Sequence, residues 1–593
     1  MMNRRHSILL LSASLALAAQ AQELHESLNV EGEYIPEVIR QDKIYTFPTV
    51  MQPEKSSASL PAATQGVVSA YSPELFAMPP LGWETRRLPD PRRGYLTFAA
   101  GSQLNVLGNA GYRIIDTEST SLSAMLRHNS TSLFHARPRG IYHDTYRRRY
   151  DETIGLKASH TFGGAGTLDA ELWYRLAWFN YYGIEATDPL TFPAKAPTQT
   201  LNDAGLRIGW NSAAGKPLAY RVGVAYRYFG YRDYITENLT ALTGRRENNF
   251  RLDGDIAYSF TDNSALALSL DAHLASYNKI ESLPDLDTYS IISLTPQYRL
   301  QSGSLRLSAG PRIDIAANAG MKGDRYSAFH IAPEVNVDWR GGDIALFLHA
   351  RGGSSPFTLA ANSNIDYYQM PDLISTDPVF SPLDLKAGVT FGPVKGFSGS
   401  IHAAYKIADN TRAGGWYMAR ISPAFALQKV PEGFSAIPGE GRYKLSGFSF
   451  GADFRIEAGK FVEISAAGTY QPQNGDKGYF NGYDRPRWTA DASLRVKPAD
   501  GISIDLTYSY RGVRRIYTQA TSLNAPALHT PETRLIGHHL PDITDLSLGA
   551  MWNITDSFSV NILARNLLCR RVQYLPLVRE EGLSLLAGFG VAF

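Results

Sequence analysis

Cysteine is almost missing: Cys569 is the one thiol among 593 residues, which excludes an internal disulfide and any paired-cysteine metal site. Charge is scarce at 19%, and 58 basic residues face 56 acidic ones, so nothing draws the chain to nucleic acid. After residue 21 there is no run of about 18 apolar residues, which excludes helical membrane spans. Phosphate-loop, HExxH and nucleophile-elbow patterns are absent, and no cofactor or metal is implied.

What the chain has instead is a two-residue beat. Between Gly501 and Tyr510, the residues Ile502, Ile504, Leu506, Tyr508 and Tyr510 alternate with Ser503, Asp505, Thr507 and Ser509. Leu583, Leu585, Ala587, Phe589, Val591 and Phe593 repeat the pattern at the end. Successive side chains of a strand point to opposite faces, so each segment is a ribbon with one greasy and one wet side. Many such segments of about ten residues, with aromatics at 11%, predict an all-β fold, a transmembrane antiparallel β-barrel. Backbone groups in lipid must pair within the protein, and a closed barrel does this with strands too short to register as hydrophobic spans.

Residues 1–21 read as a signal peptide: Arg4 and Arg5, then the apolar stretch Ile8 to Leu17, then Ala19-Gln20-Ala21 before the cut. Without Arg4 and Arg5 the charges balance at 56 of each sign. The signal implies an oxidising compartment, where Cys569 is expected to be a small buried residue near the last loop. Residues 22–92, with a Pro- and Ser-rich stretch from Phe47 to Pro80, are expected to form a short extended periplasmic or lumen-inserted segment. The barrel is expected over residues 93–593.

Turn-forming clusters set the strand count. They fall at Asp116 to Glu118, Gly163 to Gly166, Ala213 to Pro217, Asp262 to Ser264, Gln301 to Ser304, Arg340 to Asp343, Pro393 to Gly396, Glu457 to Lys460, Pro498 to Gly501 and Thr555 to Ser557. With a leading hairpin at about Gly94 to Ala100 and Asn105 to Ile115, this predicts about 22 strands, short turns on the periplasmic side and long loops outside. Trp416 to Leu427 reads either as a further strand or as loop. Residues 353–382 and 511–540 read as long caps or lumen-folded loops.

The outward face is predicted to carry Ile154 and Leu156, Leu266 and Leu268, Ile344 and Leu346, and Trp488 and Leu494. Tyr174, Trp178, Tyr226, Tyr228, Trp488, Tyr508 and Tyr510 suit the interfacial girdle. On the wet phase stand the lumen-facing candidates Arg221, Arg227, Asp271, His273, Lys386, Asp491, Arg495, Asp505 and Arg565. Their mixed signs suit either wall-stiffening pairs or a permeation surface. Arg137, Arg139, Arg147, Arg148 and Arg149 form an extracellular basic loop, either solvated or gripping anions. His128-Asn129-Ser130, at a strand end, resembles a membrane phospholipase with a serine nucleophile. Such coincidences are expected among 13 His, and the chain is expected not to be an enzyme.

Val560 to Arg571 (VNILARNLLCRR), then Tyr574-Leu575-Pro576, then a last strand ending on Phe593 resemble the final two strands of TonB-dependent receptors. Gly94-Tyr95-Leu96, Gly111-Tyr112-Arg113 and His128 to Ser132 resemble a plug-poor branch of these barrels. The resemblance implies an outer-membrane location, lipid as the surrounding partner, and Phe593 as the signal read by the barrel-assembly machinery. It also implies passage of a solute through a water-filled, loop-gated lumen. The family carries a plug domain much longer than residues 22–92, so energised uptake is not implied. The alternative role is a non-transporting subunit or scaffold of an envelope complex, docking a protein partner through residues 22–92.

Overall fold

The computed structural model describes residues 92–593 apart from 134–146, 181–183, 187–197, 214, 236–240, 281–285, 287, 320–325, 357, 366–377, 412–415, 422–423, 430–442, 476–485, 522–532 and 574–581. The leader, residues 22–91, Arg137 and Arg139 lie outside the described residues.

The alternating segments become 22 barrel strands. They are β1 Gly94–Gly101, β2 Val106–Asp116, β3 Thr120–Leu133, β4 Arg147–Thr161, β5 Gly166–Asn180, β6 Thr198–Ser212, β7 Leu218–Tyr231 and β8 Arg246–Thr261. There follow β9 Ser264–Tyr277, β10 Tyr289–Ser302, β11 Leu305–Ala319, β12 Tyr326–Gly341, β13 Ile344–Ser355, β14 Val379–Val394 and β15 Phe397–Thr411. The remainder are β16 Tyr443–Ala458, β17 Val462–Tyr470, β18 Trp488–Ala499, β19 Ile502–Arg511, β20 Ile543–Asn553, β21 Phe558–Arg565 and β22 Ser584–Ala592. Each pairs antiparallel with its neighbour in sequence, and β1 pairs β22 in a register that sets Tyr95 opposite Ala592. The sheet is therefore closed and has no free edge.

All ten turn clusters join consecutive strands at one end of the barrel. Gly303, Gly342, Gly396, Gly459 and Gly501 hold positive φ there, a conformation that costs glycine nothing and other residues a clash. Gly94 and Phe593 bond each other's backbone at the same end. Trp416 to Leu427 is loop: Trp416–Ile421 and Ala424–Lys429 form a hairpin in a separate five-stranded sheet with Ile184–Ala186, Arg514–Thr521 and Thr533–Leu540. These strands all come from long-loop connections, so that sheet belongs to the long-loop end.

One phase of each barrel strand is apolar and exposed. Ile154, Leu266, Ile331 and Ile562 each show more than half of their surface, and Leu156, Leu268, Ile344, Leu346 and Trp488 share that face. Surface of this kind is stable only against hydrocarbon. Aromatic pairs bracket the aliphatic band. At the long-loop end stand Tyr150–Trp178, Tyr226–Phe250 and Tyr470–Trp488, at 5.4, 4.8 and 4.4 Å between ring centres. At the short-turn end stand Phe162–Trp210, Phe391–Phe397 and Tyr112–Phe593, at 5.6, 5.4 and 6.2 Å. Rings with polar handles settle at both interfaces, so the two girdles fix the depth of the barrel in the bilayer. Cys569 departs from expectation: it is exposed, at φ 50°, in the turn after β21. Asn566 leads this turn, accepting from Arg570 N–H through its side-chain carbonyl at 3.0 Å, and the tight loop leaves no apolar pocket for a thiol.

Candidate functional site in the barrel lumen

The wet phase of the wall is a lattice of cross-strand ion pairs. Arg227 on β7 grips Asp203 on β6 with two bonds of 2.8 and 2.6 Å, and Arg175 on β5 grips Asp151 on β4 at 3.0 and 2.7 Å. Arg251 and Asp271 face each other across β8 and β9 at 3.0 and 2.8 Å, and Arg299 reaches over β9 to Asp255 at 2.7 Å. Farther round, Arg495 Nε lies 2.5 Å from Asp505, with Glu463 on its other side at 3.7 Å and Arg455 beyond at 3.0 Å from Glu463. Arg511 meets Asp491 at 3.0 Å. Bidentate guanidinium–carboxylate pairs fix direction as well as distance, so they brace the wall against shear.

Arg221 stands in register with Asp255, Arg565 with Ser584, and Lys386 with its ammonium 5.9 Å from the Phe347 ring. His273 stacks on Tyr289 at 6.1 Å. The nine lumen-facing candidates are thus spread around the wall; the structure brings Arg495 and Asp505 into direct contact, sets His273 beside the Arg251–Asp271 pair, and leaves the others in separate clusters. Arg147, Arg148 and Arg149 belong to β4 and not to a loop. Alternation sends Arg149 inward, where it lies 3.6 Å from Asp151, and puts Arg148 on the lipid-facing phase.

The tightest packing in the described residues lies inside the long-loop end. Phe179, Leu201, Phe229, Tyr231, Tyr289 and Leu359 are almost wholly buried there, together with Arg245 and Glu247. Leu359 comes from a loop. Near its end β13 shifts register between Arg351 and Gly353, whose φ of 126° and missing Cβ let the chain pass over Arg312; a Cβ there would sit 2.4 Å from Arg312 Nε, and β13 stays paired with β14 through Ser355. The buried Asp314 carboxylate accepts from Ser354 N–H and from Arg312 at 2.9 Å. Helix α1 (Leu359–Ile365) then follows, packed against β7 and β8. Glu247 Oε2 accepts from Leu359 N–H at 2.7 Å, and Thr358 Oγ1 caps Ala361 N–H at 3.0 Å. The buried carboxylate of Glu247 therefore holds the loop inside the barrel mouth, and that of Asp314 fixes the end of β13 from which the loop leaves. A helix N-terminus is a natural partner for an anion, which is why a carboxylate fits there.

No protein-family model matches the sequence, and no curated protein sequence matches it. Solved structures do. The FrpB iron transporter from Neisseria meningitidis (F3-3 variant) is 11% identical, covering 85% of this chain and 82% of its own, with a TM-score of 0.63. The fold is that of a TonB-dependent-receptor-like barrel. The siderophore receptor PirA from Acinetobacter baumannii is 10% identical over 86% of this chain and 81% of its own, at TM-score 0.60. The ferric enterobactin receptor PfeA from Pseudomonas aeruginosa, in a mutant form, is 12% identical over 84% and 81%, at 0.58. Identities this low show the fold alone, and a closed 22-strand barrel with an exposed apolar belt is an outer-membrane architecture.

Asp203, Asp255, Arg299, Asp314 and Glu247 were not singled out by sequence reasoning. Each is a charge on the wet phase of a strand, and that signal was present; their partners lie on neighbouring strands and need the register to find.

Proposed function

We propose that this barrel binds a solute at its external mouth and passes it through an ion-paired lumen, with residues 356–365 as the gating loop. The observation that carries the reading is the loop pinned inside the mouth by Glu247, which accepts from Leu359 N–H at 2.7 Å. A wall that only had to be rigid needs no loop folded into it. A loop held by a few hydrogen bonds is one a ligand can displace, because each bond is worth about 0.5–1.5 kcal/mol net. The lumen carries both signs, which suits a large polar solute with mixed hydrogen-bonding needs better than a simple ion. Ferric siderophores are the first class to test, since the proteins similar in fold are an iron transporter and siderophore receptors.

The test is purified full-length protein in planar bilayers, alone and with ferric siderophores, beside a Glu247→Ala variant. The expected result is discrete conductance that rises in the variant, and quenching of tryptophan fluorescence by at least one chelate. Bilayers that stay silent for both proteins, with no chelate bound, would overturn the reading.

A further inference from the structure

We propose that Ser130, His128 and Glu152 form a serine-hydrolase triad on the lipid-facing wall, acting on carboxyl esters of membrane lipids. His128 and Ser130 are two residues apart on β3 and share a face, and Glu152 on β4 is the register partner of His128. His128 Nε2 lies 3.0 Å from Ser130 Oγ, and His128 Nδ1 lies 3.2 Å from Glu152 Oε1. With Nδ1–H donating to the carboxylate, Nε2 is left to accept from the serine hydroxyl. This is the order of a nucleophile, a base and a group that orients the base.

The place matters as much as the order. Leu126, Ile154 and Leu156 continue the same phase, so the cluster faces lipid and not the lumen. Charge on that face is costly at midplane, and the cost falls toward zero at the interface. A carboxylate and an imidazole there are out of keeping with the rest of the belt. Their height explains how they are tolerated: Tyr150, two residues before Glu152, belongs to the girdle pair Tyr150–Trp178 at the long-loop end. Girdle rings sit at the headgroup boundary, the level at which the ester bonds of lipids lie. A shallow, open depression of about 490 Å³ adjoins the cluster at Glu152, lined by Tyr150, Glu152, Leu176, Trp178, Thr200 and Arg232. Leu176 and Trp178 offer an acyl chain an apolar floor, and Arg232 offers a phosphate a cation. Ser130 is 7% exposed, so reaction at it requires a local opening beside Tyr150, its register partner.

In the reaction Nε2 takes the Ser130 proton while Oγ bonds to the ester carbonyl carbon. Collapse of the tetrahedral intermediate breaks the bond to the alcohol, which leaves with the proton from Nε2. Water then adds to the acyl-serine by the same route, releasing the fatty acid and restoring Ser130. Glu152 is a positioning residue that keeps the ring in its working tautomer.

The experiment uses the full chain in detergent micelles, a fluorophosphonate probe and mixed micelles of a fluorogenic phospholipid ester. The probe is expected to label Ser130, and Ser130→Ala or His128→Ala to lower hydrolysis by about 100-fold or more. Glu152→Gln should lower kcat with KM unchanged, and Glu152→Asp should recover part of the loss. Folding of each variant is checked by β-type circular dichroism and heat-modifiable migration. A wild-type protein that neither labels nor hydrolyses, or a Ser130→Ala variant with the full rate, would overturn the proposal.

Discussion

The inner wall has a dry arc and a wet arc, and they hold their charges by different physics. On the drier arc, from β5 to β13, Glu247, Asp314 and Asp203 are buried and each faces a defined partner, with the Arg251–Asp271 pair as an exposed exception. On the wet arc, from β16 to β19, Arg455, Glu463, Arg495 and Asp505 keep roughly a third of their surface in water. A buried carboxylate that loses its partner has nowhere to turn, whereas an exposed one is rehydrated. Carboxylates of the same kind are therefore buried against fixed partners on one side and left largely in water on the other.

Substitutions can sharpen or break that contrast. Arg227→Ala strands the Asp203 carboxylate on the dry arc and should cost about 3 kcal/mol, read as a lower denaturation midpoint in detergent. If it costs no more than a wet-arc variant, the distinction fails. Glu247→Ala leaves Leu359 N–H without its acceptor, at about 1–3 kcal/mol, and should speed protease cleavage within residues 353–378, while Glu247→Gln should not. Arg495→Ala on the wet arc should cost less than about 1 kcal/mol. Smallest of all, raising salt toward 1 M should weaken the Arg495 contribution further and leave that of Arg227 nearly unchanged, since exposed pairs are screened and buried ones are not.

The outer face of the barrel was legible because its rule is uniform. Leu266, Leu268 and Ile344 obey a period of two, and the turn clusters mark every hairpin at the short-turn end, so strand number and phase follow from one sequence. Inner contacts have no such rule. Arg227 reaches Asp203 and Arg299 reaches Asp255 only after register is set across neighbouring hairpins, and spacing alone does not encode that register. Loop docking was further out of reach. Nothing in Leu359 or Ala360 announces burial, because the groups that bury them come from β7 and β8. Arg147 to Arg149 misled for a local reason: a run of arginines looks like loop, yet β4 starts at Arg147 and splits the run between two faces.

The join between β1 and β22 has a bearing on how the molecule comes to exist. Gly588 lies against the Phe98 carbonyl and Gly101 against the Leu585 carbonyl, so closely that a side chain on either glycine would hold the two strands apart. Until that join is made, the curled sheet has two borders of unsatisfied amides, which hydrocarbon cannot hydrate and a stray strand can capture. A half-inserted intermediate is thus more dangerous than an unfolded one. The exposure of both borders ends only when the strands at either end of the barrel meet, and glycines at the join let them meet without a rearrangement.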